Sequence, residues 1–390
     1  MNKIPTKKSG FNPNWQIKTL NEVCNKISAG GDKPDDCTTE KTEENQIPIF
    51  SNGIKNKGLC GYTKTPAITK PALTISARGT IGFACVRYEP FFPIVRLICV
   101  IPNEKLVILE FLCYALQYII PQGEGTSVPQ LTIPNFKKIK IPIPPLDEQK
   151  RIASALSKID AYLENTIKLI EEKERFKRGI AKKLLTCKEG ENIPEARFKG
   201  FEDEWEIFKL GDMFDNFKEK NNEDKIILAS TIDKGVIPNS LTERKIIRKK
   251  ESLSNYKLVK KGCFVISLMS FQSGFEYSDY EGIISPAYSV LKPKIEMAHY
   301  FYKYYFKSFK FIKDLLPYAE GIRHGKQIKF KACKDILVPY PSIEEQEKIG
   351  GYLSLLDKEI DNLKKQKELI KEMKRGAMQK LLSGEVRLLE

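Results

Sequence analysis

Apolar residues recur at alternating four- and three-residue spacing along two stretches of the chain. In the first, Ile152, Leu156, Ile159, Leu163 and Ile170 mark the pattern, broken at Thr166; in the second, Ile349, Leu353, Leu356, Ile360, Leu363 and Ile370 carry it on to Met373 and Ala377. That spacing predicts two long helices, each with a coiled-coil seam. Each follows a Pro-X-Pro stretch, PIPP from Pro142 and PYPS from Pro339, which disfavours helix before it. In the second copy Ser342 is placed to cap the helix and Glu345 to complete a capping box, so capping accounts for the Glu344-Glu345 pair. In the first, Pro145 stands at the serine position, while Asp147 and Glu148 still complement the helix dipole. The patterns run to Thr186 and Ser383, with Gly190 and Gly384 beyond them, and some 40 helical residues rise roughly 60 Å.

The two stretches are copies. Ile141–Thr186 aligns without a gap on Val338–Ser383 at an offset of 197 (338 − 141), with identities at Glu148/Glu345, Gln149/Gln346, Asp160/Asp357, Lys177/Lys374, Arg178/Arg375 and Gly179/Gly376. FNPNWQIKTLNEV from Phe11 likewise resembles FEDEWEIFKLGDM from Phe201, with the only two tryptophans, Trp15 and Trp205, in register at an offset of 190 (205 − 15). The chain is a tandem duplication whose ends are alike and whose middles differ. Two equal seams in one chain can pair with each other; two unrelated amphipathic helices, each lying on its own domain, are the other reading of periodicity alone.

Both middles read as mixed α and β. ALTISA (Ala72–Ala77), FACVRY (Phe83–Tyr88) and CFVISL (Cys263–Leu268) have strand character, and helices are expected around Glu104–Tyr118 and Met297–Lys313. SNGIKNKGLCG (Ser51–Gly61) and SFQSG (Ser270–Gly274) are turn-like.

Charge then points to a partner. A net charge of +15 is costly in self-repulsion unless a polyanion shares the surface, and it clusters beside strand-like segments in RKIIRKK (Arg244–Lys250), KLVKK (Lys257–Lys261) and KKIK (Lys137–Lys140). Double-stranded DNA is the expected partner. Its readout needs cations on phosphates and Arg, Lys, Asn, Gln or Ser on base edges. The candidates are Lys55, Lys57, Arg78 and Gln130 in the first middle, and Arg244, Lys245, Arg248, Lys249, Gln272, Ser273, Arg323 and Lys326 in the second. Apolar runs such as PIVRLICVIP from Pro93 are too short to span a bilayer, and MNKIPTKKSG lacks a signal-peptide core, so no membrane and a cytoplasmic location are expected.

No catalytic, metal or cofactor site is expected. The nine cysteines are scattered and the chain has two histidines, His299 and His324, so metal-ligand spacing is missing and reduced, packed thiols are expected. GIRHGKQ (Gly321–Gln327) has the wrong glycine spacing for a phosphate loop and Gln327 where Ser or Thr is required. NPNW (Asn12–Trp15) is similar to an amino-methyltransferase signature but has no glycine-rich cofactor strand before it. A DNA-specificity scaffold accounts for charge, duplication and helices together. A single-chain DNA-modifying enzyme and a protein-only coiled-coil adaptor are the alternatives.

PIPPLDEQKRIASAL and PYPSIEEQEKIGGYL, with GTIG (Gly79–Gly82) and GTSVPQLT (Gly125–Thr132), resemble the recurrent regions of the specificity subunits of type I restriction–modification systems across the full length. The resemblance implies an α+β, pseudo-twofold tandem repeat: two α/β target-recognition domains separated by two long helices packed as an antiparallel coiled coil. The expected divisions are 1–140 (recognition domain 1), 141–190 (helical spacer 1), 191–337 (recognition domain 2) and 338–390 (helical spacer 2). It further implies a bipartite DNA target with a gap set by the helices, docking of two methyltransferase subunits and of motor-nuclease subunits, and no catalytic centre in this chain. SLMSFQSGFEYSDYEG (Ser267–Gly282) departs from the GTIG pattern.

Overall fold

The computed structural model describes residues 12–120, 131–242, 253–266, 274–319 and 328–389. The chain divides into two compact units, the first comprising residues 1–167 and 365–390 and the second residues 168–364. Each holds one mixed α and β domain, the start of one long helix and the end of the other.

In the first unit a four-stranded antiparallel sheet has the order Cys24–Ala29, Ile98–Pro102, Ala72–Ile75, Ala84–Arg87. All four residues of Ala72–Ile75 are buried, because both faces of the strand are covered. Leu73 and Ile75 join the main core with Phe111, Leu112 and Leu116 of the helix Leu109–Ile119, and Ala72 turns into a smaller cluster with Phe50, Phe91 and Leu97. Period-two alternation thus serves two cores. A separate three-stranded sheet has the order Leu59–Thr63, Ile47–Phe50, Phe92–Pro93.

The second unit repeats the sheet order with different residues: Phe214–Phe217, Ser289–Pro293, Phe264–Ile266, Phe275–Tyr277. Its core is aromatic, with Phe306 packed on Phe214, Phe264, Phe275 and Phe311 at centroid distances of 4.7–5.7 Å. The helix expected over Met297–Lys313 is two helices, His299–Tyr305 and Phe309–Leu315. Ser308 breaks it by capping the second, its Oγ accepting from Phe311 N at 3.3 Å. The helix expected from Glu104 begins instead at Leu109, because Gln149 takes the backbone N–H of Ile108 at 2.9 Å.

The long helices span Leu146–Leu185 and Ile343–Ser383. In front of each, a two-stranded antiparallel pair ties the tryptophan segment to the Pro-X-Pro segment: Gln16–Thr19 with Lys140–Ile143, and Glu206–Lys209 with Leu337–Tyr340. This is why the two sequence echoes occur together.

The Glu-Gln pair at each helix start does more than cap. Ser342 does cap, accepting from Glu345 N at 3.3 Å, but the Glu345 side chain does not return to it. It is buried at 1 % exposure, takes a bidentate pair from Arg197 (Nε and Nη2, 2.8 Å each) and accepts from Trp205 Nε1 at 2.9 Å. Capping is therefore not its main role. A carboxylate removed from water needs a cation, and the Arg fork supplies two donors. Glu148 repeats the arrangement with Arg387 Nε and Nη2 at 2.5 and 2.7 Å. The adjacent glutamines staple the loop before the preceding core helix: Gln149 donates to Leu106 O and Pro144 O and accepts from Ile108 N, while Gln346 donates to Pro341 O and accepts from Ala298 N.

Within each unit the helices run antiparallel. In the first, Lys374 pairs with Asp160 at 2.6 Å; in the second, Lys173 pairs with Glu359 and Lys364 with Glu174, both at 2.7 Å, and Lys177 pairs with Asp357. The duplicated Asp and Lys thus meet across the seam. Tyr114 and Tyr304 donate to Asp160 and Asp357 at 2.8 and 2.7 Å, and burial and the carboxylate push both phenols up. Seam residues Ile170, Leu356, Ile360 and Ile370 are buried, as is Thr166, whose hydroxyl donates to Tyr162 O at 2.8 Å. Ile159, Leu163 and Leu363 are half-buried. Ile152, Leu156, Ile349 and Leu353 are fully buried, but as part of the domain cores. Met373 follows the spacing yet is half exposed.

Candidate nucleic-acid interface

Of the residues singled out for DNA, Lys55, Lys57 and Arg78 fall in described loops of the first unit, and all three are exposed. Gln130, Arg244, Lys245, Arg248, Lys249, Gln272, Ser273, Arg323 and Lys326 lie outside the described residues, as does His324.

Asn52 brings the first three together. Its Nδ2 donates to Val95 O at 2.7 Å and its Oδ1 accepts from Ala77 N at 2.8 Å, while Gly53 N donates to Ser76 Oγ at 3.2 Å. Three loops, 51–58, 76–82 and 93–97, are joined at one side chain. Asn56 and Lys57 both have left-handed φ, at 49° and 53°, which turns the chain back so that Ser51 N donates to Gly58 O at 2.9 Å. Lys57 also pairs with Glu164 of the first long helix at 3.2 Å, an exposed contact worth about 0–1 kcal/mol. Arg87, by contrast, is structural: its guanidinium lies 3.5 Å from the Phe50 ring centroid, its Nε donates to Thr74 Oγ1 at 3.1 Å, and Nη2 donates to Lys57 O.

The second unit holds a cavity of about 820 Å³. Lys177, Lys307 and Lys364 line it, but each is paired with a carboxylate, Asp357, Glu276 and Glu174 respectively, so much of its field cancels.

Apolar side chains also stand exposed along the long helices. Tyr162, Leu169 and Phe176 recur at seven-residue spacing on the first, and Leu369 and Met373 follow Gln366, which donates to Tyr162 OH, on the second. Their exposures run from 41 % (Leu169) to 66 % (Leu369).

Burial pushes the thiols of Cys24, Cys99, Cys113 and Cys333 up to about 12, the opposite of an activated cysteine. Among the described residues no group of three or more His, Cys, Asp or Glu is placed to hold a metal ion. No described helix is long and apolar enough to cross a membrane.

The sequence reading placed Glu148 and Glu345 at the helix starts but missed their arginine partners, and it did not identify Asn52 or the turn at Val95–Arg96. For the glutamates a signal existed, since Arg197 and Arg387 also stand 190 apart (387 − 197) in EARF and EVRL. For Val95–Arg96 there was none, because PIVRLICVIP reads as one apolar run.

Two mixed domains with the same sheet order, joined to a duplicated pair of long helices, define a tandem-repeat α+β scaffold, and the family comparisons say which one. The model of the type I restriction modification DNA specificity domain matches twice, over residues 12–172 and 202–372, and the chain belongs to that family. A Mycoplasma pneumoniae protein assigned as a type I specificity subunit is 37 % identical over 153 residues, covering 38 % of this chain and 45 % of its own length. The type I restriction enzyme MjaVIII specificity subunit of Methanocaldococcus jannaschii is 27 % identical over 314 residues, covering 73 % and 72 %. The match spans less than half the length of that relative and of a second Mycoplasma pneumoniae specificity subunit, 45 % and 39 %. The crystal structure of the S subunit of a type I restriction-modification system from M. genitalium matches with a TM-score of 0.60 at 18 % identity, covering 98 % of this chain and 99 % of that one, a likeness of fold.

Proposed function

We propose that the chain is the non-catalytic DNA-specificity subunit of a type I restriction–modification complex, acting in the cytoplasm. The observation that carries this is the double family match laid over two units with the same sheet order but different residues. Each recognition domain, 1–140 and 191–337, reads one half of an asymmetric two-part target. Lys55, Lys57, Arg78 and Gln130 serve the first half-site, and Arg244, Lys245, Arg248, Lys249, Gln272, Ser273, Arg323 and Lys326 are the candidates for the second. The helical spacers, 141–190 and 338–390, set the unspecified gap. At about 1.5 Å per residue, 40 helical residues reach roughly 60 Å, comparable to one or two turns of DNA.

The exposed apolar stripe of Tyr162, Leu169 and Phe176 supports docking of methyltransferase subunits on the helices, and motor-nuclease subunits complete the complex for cleavage. An exposed heptad-spaced stripe is the usual mark of a helix awaiting a partner.

The test is methylome sequencing of cells with and without this gene, expressed beside its neighbouring methyltransferase. Adenine methylation at one asymmetric two-part motif, lost without the gene, is expected. An unchanged methylome, with the chain present and bound to the methyltransferase, would sink the specificity role and leave a protein-only adaptor, whose binding would lack the steep salt dependence of phosphate contacts.

A further inference from the structure

Resting on that recognition reading, we propose that the turn Pro93–Leu97 is a base-reading element of the first unit, with Val95 and Arg96 as specificity-determining residues and Asn52 as the positioning residue that sets them. Val95 and Arg96 have φ of 53° and 59°. Two consecutive left-handed residues without glycine are uncommon, and a β-branched one is a genuine outlier. Such a conformation persists only where its surroundings over-determine it.

Here they do. Ile94 N donates to Phe50 O (2.9 Å), Val95 N to Gly31 O (2.8 Å), Arg96 N to Gly30 O (2.9 Å), and Gly30 N to Leu97 O (2.8 Å). A Cβ on Gly30 would fall 2.6 Å from the Pro93 carbonyl carbon, so the approach requires glycine. Ile94 and Leu97 anchor the turn in the interior, while Val95 and Arg96 project outward.

Packing does not explain the strain, since Val95 is 47 % exposed. What the strain achieves is presentation. It aims an apolar methyl pair and a guanidinium outward from a turn that Asn52 ties to the loops of Lys55, Lys57 and Arg78. That is the chemistry of direct readout: an Arg fork matches O6 and N7 of guanine, and apolar side chains meet the thymine methyl. The neighbouring cations supply phosphate contacts that fix register.

The experiment uses the full chain co-purified with its methyltransferase, acting on a pool of duplexes with randomised positions, read by sequencing. R96A is expected to relax preference at one or two adjacent positions of one half-site by about 10-fold, with the other half-site and the gap unchanged. R96G should do the same, and because glycine accepts the left-handed conformation it excludes loss of the turn as the cause. N52D keeps the acceptor for Ala77 N but loses the donor to Val95 O; it should blur the same positions at a cost in stability of only about 1 kcal/mol, with the other half-site read as before. Titration with salt separates the roles: K55A should lower the slope of log affinity against log salt by about one, and R96A should not.

The assignment is overturned if both Arg96 variants leave every base preference intact, or if they weaken all sequences equally with a reduced salt slope, the signature of a phosphate contact. A wild-type complex that yields no two-part motif would overturn the recognition reading itself, and this assignment with it.

Discussion

Removing Arg197 should be among the most damaging single changes to the second unit. The Glu345 carboxylate is 1 % exposed and has three donors: two from the Arg197 fork and one from Trp205. In R197M the carboxylate keeps only the indole, and the Asp203 carbonyl loses its donor at 2.6 Å. Breaking a buried pair from one side costs about 3–5 kcal/mol. Arg197 itself is 13 % exposed, so water softens the loss and the lower figure, about 3 kcal/mol, applies. For a unit of about 200 residues that is ~6–12 °C in Tm. The double variant R197M/E345M removes the stranded charge and should recover at least about 1 kcal/mol relative to R197M alone. It leaves the Trp205 indole buried without a partner, a state the first unit already tolerates at Trp15 Nε1 among the described residues. Urea unfolding of the full chain, followed by circular dichroism, gives all three numbers. If R197M lies within 1 kcal/mol of wild type, or the double variant is no more stable than R197M, the buried carboxylate does not depend on its arginine and the reasoning fails.

Leu353→Ala should cost about 3 kcal/mol, as expected for a fully buried leucine, whereas Leu163→Ala, at a half-buried seam position, should cost under about 1.5; a reversed order in urea unfolding would contradict the assignment of Leu353 to a domain core. Burial lowers the pKa of His299, so the unfolded chain takes up its proton first as pH falls below about 6.5. The neutral imidazole therefore contributes stability above that pH which is lost below it, and stability measured from pH 7.5 down to 5.5 should fall less steeply in H299F than in wild type; equal slopes would refute this. Deleting Ala161–Ile167 together with Gln366–Glu372 removes one heptad from each helix and should shorten the permitted gap by about 10 Å, or three base pairs, without altering either half-site. Changed half-sites at an unchanged gap in the methylation profile would exclude the helices as the spacer.

The repeated segments were legible because their identities are contacts. Asp160/Asp357 and Lys177/Lys374 match in sequence because each Asp faces the Lys of the other copy. The glutamates were misread for a converse reason: a cap explained them locally, whereas the partners of Glu345 lie 148 and 140 residues away in sequence. Periodicity overreached at Met373, which obeys the heptad but is half exposed. It was too coarse at Ile152 and Leu156, which obey it while packing into a domain. Met297–Lys313 kept an apolar pattern through Ser308, and only the serine signalled the break. The Val95–Arg96 turn opposes local preference altogether, being imposed by backbone acceptors at Gly30 and Gly31 far upstream. The strand order was not readable either, since pairing a strand near residue 27 with one near residue 100 leaves no trace in a single chain.

The closure of the first unit by residues beyond Lys365 has a consequence for synthesis. Leu381 and Leu382 complete its core, Asn12 donates to Gly384 O at 3.0 Å, and Glu148 pairs with Arg387. The second unit is made of residues 168–364, all translated before that closing segment. On the ribosome, the half that emerges first therefore waits, its carboxylate unpaired, while the half that emerges later can finish folding ahead of it. A nonsense codon after Lys380 would injure the domain translated hundreds of residues earlier, by removing Leu381, Leu382 and Arg387 from it.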